Sequence, residues 1–422
     1  MSLGDVAHVP TTDRVLYITH RVPFPPDKGD RIRNYHVLRQ LAARVPVRLL
    51  ALADEPVPAE TRGVLGEMCE RVAIVPVGRF AKLARAGLSV LGGGSLTEGA
   101  FRVPAADRIL REWVGEVAFR AAVVSTSGLA PYLRRSGLDR VPGFVDLVDV
   151  DSQKWFDYAA ATNGPKRRLY RFEGRRVRAL ERGLPRWTSG VGLVSAAEAA
   201  VYESFAGSGT ALVATNGVDL DYFRPTPDVP EVPACAFVGA MDYLPNVDAA
   251  AWFVANVWPL IRAHHPAAEF WIIGRKPVPA VQRLSAVPGV VVVGQVPDVR
   301  PHVAKAAVCV TPMRLSRGLQ NKVLEALAMS KAVVAAPPAL AALRTEVGTH
   351  LLSATTPDEW ASVVGRLFDS PDRRRELGAA GRQFVEEHHH WDRCLRPLLD
   401  RVCGGRESSK VDAKILESAA CG

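Results

Sequence analysis

The sequence predicts an α/β protein made of two Rossmann-like domains, each with a parallel sheet. Three observations predict it. Short apolar runs alternate along the chain with amphipathic segments, the pattern of buried strands joined by crossover helices. The alternation breaks at a stretch of repeated prolines, 223–233, which reads as a stiff linker, and then restarts. At 422 residues the chain is also too long for one ordinary core and suits two domains of about 200 residues each.

In the first half, 14–19 is a short apolar run of the kind that forms a buried parallel strand. The loop 20–30 follows, then an amphipathic helix to about residue 44 with Ile32, Tyr35, Leu38 and Leu41 near one face. Further strands are predicted at 47–53, 72–77, 121–125, 143–148, 190–194 and 211–214, with helices at 104–118 and 196–205. Ligands collect at the carboxyl ends of strands in open parallel sheets, so the first loop is a candidate cleft wall. Gly29 would let a backbone approach a ligand closely; the alternative is a proline-rich turn that contacts nothing.

The second half repeats the plan. A strand at 234–238 leads into the loop 239–246 and an amphipathic helix over 247–264. Strands at 269–273 and 290–293 end in Gly274-Arg275-Lys276 and in Gly294. The run 308–311 is followed by a polar, glycine-containing loop, a helix over about 319–329 and a strand from Ala332. Helices are expected to about residue 369 and over 371–388, then an amphipathic segment over 391–402; the polar tail 404–422 has no periodic pattern and reads as loosely held.

The entry to the helix at 319–329 concentrates polar chemistry. A helix N-terminus offers unpaired N–H groups and partial positive charge, so an anion there is stabilised. Lys322 adds a full charge, Gln320 and Asn321 add hydrogen-bonding groups, and Glu325, about one turn on, is placed to accept two ribose hydroxyls. The combination suits a sugar carrying a diphosphate. An ordinary surface pair of Lys322 and Glu325 at i,i+3 spacing is the alternative.

The segment from Arg317 to Ala326 resembles the nucleotide-sugar signature of the family 4 glycosyltransferases. It is closer still to the sugar transferases associated with exosortase and PEP-CTERM exopolysaccharide systems. The stretches 20–33 and 145–155 resemble the same group, and 215–219 resembles the end-of-domain signature of family 4. The resemblance implies the GT-B fold: two Rossmann-like domains facing across a cleft, with 14–222 on the acceptor side and 234–388 binding a nucleotide-diphosphate sugar. Residues 391–402 would pack back on the first domain. It further implies a retaining transferase that extends an exopolysaccharide or lipid-linked saccharide. The helix start at Leu319 and Lys322 would stabilise the leaving diphosphate electrostatically, so no metal or other cofactor is expected.

By the same resemblance the strand ends near 273 and 293 bracket the nucleobase, with Arg275 near phosphates or base; a surface role for Arg275 is the alternative. Gly239 would let a phosphate approach. Many family members carry an arginine and a lysine in that loop, whereas this chain has Met241 and Asn246, so Lys322 or Arg317 would supply the charge. Arg317 stands where the family usually has its first glutamate. It suggests an acidic donor such as a uronic acid, held bidentately, or else a salt bridge within the protein. Ser127, Asp149, Asp151 and Lys154 are the catalytic candidates near the acceptor, and no general base is assigned.

Asp149-Val150-Asp151 also has the spacing of a metal-binding aspartate pair, and capping of the next helix by Asp151 or Ser152 is the structural alternative. The segment 166–187 is dense in Arg and Lys beside an apolar stripe of Leu169, Phe172, Val177, Leu180 and Leu184. It fits a helix lying on an anionic membrane, or one docked on its own domain. A smaller basic and apolar stretch at 79–94 ends in three glycines that read as a mobile loop.

The net charge of +9 favours anionic partners. Nucleic acid is disfavoured because interleaved aromatics are few. Six scattered cysteines lack paired or metal spacing and suggest a reducing, cytoplasmic setting; neither a signal peptide nor a membrane span is read. His388-His389-His390 reads as a frayed helix end. Two rivals remain: a non-catalytic basic scaffold at a membrane, and an NAD-dependent oxidoreductase, which would need a G-x-G-x-x-G turn where 20–30 stands.

Overall fold

The computed structural model describes residues 13–404 apart from 28, 227, 228 and 317. The chain divides into two compact units. Among the described residues the first comprises 13–193, Ala199–Ala214 and 396–404; the second comprises Val194–Glu198 and Thr215–Leu395.

The first unit holds a seven-stranded sheet: β1 (Val15–Thr19), β2 (Val47–Ala53), β3 (Arg71–Pro76), β4 (Ala121–Ser125), β5 (Gly143–Val148), β6 (Gly190–Leu193) and β7 (Ala211–Val213). Its order is β3-β2-β1-β4-β5-β6-β7, and every pairing is parallel. The second unit holds six parallel strands: β8 (Val232–Val238), β9 (Glu269–Ile273), β10 (Val290–Gly294), β11 (Ala306–Thr311), β12 (Ala332–Ala335) and β13 (Leu352–Ser353), in the order β10-β9-β8-β11-β12-β13. Both are Rossmann-like. The central strands β1, β4 and β11 are buried throughout, which is why they read as unbroken apolar runs. In the first unit Leu16, Ile18, Leu50, Val124 and Val145 pack with Trp113 and Tyr132 in one core.

Strand order reverses direction between β1 and β4 in the first sheet and between β8 and β11 in the second. Loops leaving neighbouring strands there diverge to opposite faces and leave a crevice, so each sheet has one favoured place for a ligand.

Several expectations are corrected. The second sheet begins inside the proline-rich stretch, because Val232 already pairs with Ala306. The helix expected over 319–329 runs Asn321–Ala328, so Gln320 precedes it. The helix expected over 247–264 is interrupted at Phe253–Val257 by a π-helical turn, just before Pro259, which has no N–H to continue the ladder. A short strand, β13, was not expected. The basic segment is a helix over Pro165–Gly183 and a 3-10 turn over Leu184–Arg186. The triple glycine is tied down, since Arg176 donates to the Gly93 carbonyl at 2.6 Å. His389 is not frayed: it is buried, and its Nδ1 lies 2.9 Å from the Asn216 carbonyl oxygen. The last helix, Trp391–Cys403, ends in the first unit, where Arg120 donates to the Cys403 carbonyl.

Candidate functional site

In the second unit the helices that follow β8 and β11, Leu244–Trp252 and Asn321–Ala328, meet at their starts through side chains. Lys322, in the first turn of Asn321–Ala328, donates from Nζ to Asn246 Oδ1 at 2.6 Å and sits 4.9 Å from the centre of the Phe237 ring. Asn246 is oriented by donating its own Nδ2–H to the Ala240 carbonyl at 2.9 Å. Gly239 is small for this reason: a β-carbon would fall 2.7 Å from the Asn246 amide nitrogen. Gly274 in turn, at φ +149°, packs on the Gly239 backbone so closely that any β-carbon would overlap its carbonyl oxygen.

Lys322 and Glu325 line one small crevice with Phe223, Val238, Val299, Val303 and Thr311. They are not an ordinary surface pair, and no direct ion pair joins them among the described residues. Desolvation governs both: burial pushes the Lys322 ammonium down to about 7 and the Glu325 carboxyl up to about 7, each only partly offset by the other's charge. Both groups therefore titrate near neutrality.

The other expected residues of this unit fall around them. Gln320 takes the N-cap position without capping through its side chain, and Asn321 Oδ1 accepts from Asn216 Nδ2 at 2.9 Å. Arg275 is half-buried, and its carbonyl accepts the Met241 N–H at 2.9 Å. Arg317 lies outside the described residues.

In the first unit Gly29 opens the helix Gly29–Ala42 and is exposed. Ser127 and Asp151 are brought together: the Ser127 hydroxyl and backbone N–H donate to Asp151 Oδ2 at 2.6 and 3.1 Å. Neither Asp151 nor Ser152 caps the following helix, Asp151–Ala160. The carboxylate of Glu181 instead accepts the Ser152 N–H at 3.2 Å. Burial, then the Asp151 charge, pushes Glu181 up to about 8. Asp149 is half-buried and Lys154 is exposed.

Sequence reasoning missed the group that stands at the reversal point of this sheet. His20 follows β1 and Ser125 ends β4. Ser125 Oγ accepts the His20 backbone N–H at 3.2 Å and lies 3.0 Å from His20 Nδ1, so its own proton is directed to the ring. This tautomer leaves Nε2–H facing Asp30 Oδ2 at 3.3 Å, and Asp30 also accepts from Arg21 at 2.9 Å. Burial works to raise the Asp30 carboxyl, but His20 and Arg21 together hold it well below the usual carboxylate range. Beneath lies a fully buried bidentate pair: Arg33 donates from Nε and Nη2 to the Asp146 oxygens at 2.8 and 2.7 Å. Thr126 and Val148, just after Ser125 and at the end of β5, hold φ of +71° and +70°, and such strain gathers at working sites. A histidine directly after the first strand was the available signal.

Residues 232–370 match the family described as "Glycosyl transferases group 1". The second unit is a glycosyltransferase domain. Solved structures agree in fold. Sucrose-phosphate synthase from Thermosynechococcus elongatus superposes with a TM-score of 0.69 at 16% identity, over 96% of this chain and 100% of that one. HepE from Anabaena, in complex with UDP, gives 0.64 at 13% identity over 96% and 100%. WaaG, a glycosyltransferase involved in lipopolysaccharide biosynthesis, gives 0.64 at 14% over 93% and 100%. No curated protein matches the chain at a significant level. With two Rossmann-like units of parallel strands, and solved structures of this kind as neighbours, the fold is GT-B.

Proposed function

We propose that the chain is a nucleotide-diphosphate-sugar glycosyltransferase that retains anomeric configuration and needs no metal. The carrying observation is the position of Lys322: a lysine in the first turn of a helix, at the reversal point of the domain's sheet, inside the matched segment. As the anomeric bond loosens, negative charge grows on the departing diphosphate. The unpaired amides at the start of Asn321–Ala328 and the lysine would stabilise that charge electrostatically. Glu325, held in the same crevice, would accept the ribose hydroxyls. Complexes of HepE with UDP and with UDP-glucose make a uridine donor the first to try.

The acceptor would be a growing exopolysaccharide or lipid-linked saccharide, as the likeness of 20–33, 145–155 and 317–326 to the exosortase-associated transferases suggests. A peripheral place at the inner face of the membrane follows from such an acceptor and from the basic Pro165–Gly183 helix. No helix among the described residues is long and apolar enough to cross a bilayer. Calorimetry of the full chain with a set of nucleoside diphosphates tests the proposal. Saturable binding of one of them, lost in Lys322→Ala, is expected; no binding of any would remove it.

A further inference from the structure

The helix Arg79–Leu91 is turned inside out. Its small and polar face, Lys82, Arg85, Ala86 and Ser89, packs inward. Lys82 Nζ donates to Asp54 at 3.2 Å, and Arg85 donates to the Ala100 carbonyl at 3.3 Å. Gly99 of the helix Leu96–Phe101 lies so near Arg85, Ala86 and Ser89 that a β-carbon there would overlap them. The opposite face is apolar and open: Phe80 is 87% exposed, Leu83 64%, Leu88 67% and Leu91 85%. Phe80, Leu83 and Leu91 repeat at spacings of three and eight, with Leu88 three residues before Leu91, so they form one stripe. Scattered apolar residues on a surface need no explanation, but four large ones on one helix face do.

This stripe ends beside a cationic surface of the same unit. Arg176 of Pro165–Gly183 bonds the Gly93 carbonyl, two residues past Leu91, and Glu173 of that helix accepts the backbone N–H groups of Leu96 and Thr97 at 2.8 and 2.7 Å. Arg167, Arg168, Arg171, Arg175 and Arg176 are exposed, whereas the helix's two acids, Glu173 and Glu181, are buried. Its outer face is therefore cationic without compensation. Leu169, two turns before Arg176 on the same face, is 49% exposed.

We infer that Arg79–Leu91 enters the outer layer of an anionic lipid surface by its Phe80–Leu91 stripe while the neighbouring arginines hold the headgroups. Apolar side chains bordered at one end by exposed cations match the boundary between acyl chains and anionic headgroups, which neither a purely apolar nor a purely anionic partner would do. The inference rests on the peripheral placement proposed above and names the element that carries it.

Flotation of the full chain with vesicles of phosphatidylglycerol mixed with phosphatidylcholine, and of phosphatidylcholine alone, tests it. The native chain should float only with the anionic vesicles. Phe80→Ser/Leu91→Ser should weaken that binding roughly tenfold or more, as loss of two inserted side chains requires. Arg168→Gln/Arg175→Gln should make it weaker and less salt-dependent. Nucleoside diphosphate calorimetry on each variant reports that it is folded. If the serine variant floats like the native chain while the glutamine variant does not, the peripheral placement stands and the inserted helix is wrong. If the native chain floats with neither vesicle, both fall. A native chain that self-associates, with a monomeric serine variant and no vesicle binding, would assign the stripe to a second copy and overturn the inference.

Discussion

Lys322 and Asn246 are 76 residues apart in sequence and joined by a 2.6 Å hydrogen bond that ties the start of the helix after β8, Leu244–Trp252, to the start of the helix after β11. An ammonium held by a neutral amide and an aromatic face, rather than by a carboxylate, keeps its charge uncommitted. That is the state in which a diphosphate gains most from it.

Replacing this lysine should separate binding from folding. Lys322→Ala is expected to lower kcat/KM by about 10²–10³, the cost of losing one preorganised charge stabiliser. Because burial disfavours the ammonium in the fold, Lys322→Met should raise the thermal midpoint even as it abolishes nucleoside diphosphate binding. Calorimetry and thermal denaturation on one preparation check both.

The pH dependence has a definite sign. The folded Lys322 value, about 7, lies below its ordinary 10.5, so its penalty on stability grows as pH falls from 10.5 towards 7 and is full below. The folded Glu325 value, about 7, lies above its ordinary 4.5, so its penalty grows as pH rises from 4.5 to 7 and is full above. The two overlap most near neutrality. The midpoint gained by Lys322→Met/Glu325→Gln over the native chain should therefore peak near pH 7. A bound diphosphate restores the charge by proton uptake, so its affinity should fall by up to about tenfold per unit as pH rises above 7. Lys322→Arg should flatten that slope.

Arg33 and Asp146 carry stability in the first unit. Both are fully buried, so Arg33→Met leaves an uncompensated carboxylate and should cost about 3–5 kcal/mol. Urea denaturation followed by the near-ultraviolet signal gives the value, and a loss under 1 kcal/mol would show that the pair is not needed.

His20 is expected to act on turnover alone. With Ser125 and Asp30 it occupies the reversal point of the first sheet, where an acceptor hydroxyl would meet a group able to take or hold its proton. His20→Ala should lower kcat about 10²-fold and leave the calorimetric affinity for a nucleoside diphosphate unchanged. An equal loss of affinity would refute this assignment.

The alternation of strands and helices was legible because buried parallel strands are continuous apolar runs, and 121–125 and 306–311 can form little else. The cluster at 320–325 was legible because neighbours in sequence at a helix start share one surface. Hidden were pairings across long separations, such as His20 with Ser125 or Arg33 with Asp146, since nothing in periodicity says which loops strand order will place side by side.

The chain by itself determined its two α/β halves and the lysine-bearing helix start of the second, because hydrophobic period and helix polarity are local properties. Only the tertiary structure decided that Lys322 meets Asn246 and lines a crevice with Glu325, that His20 meets Ser125 and Asp30, and that Arg79–Leu91 shows its apolar side outward. Those outcomes depend on which surfaces are left over once the sheets are assembled, a property of the packed whole that no window of sequence contains.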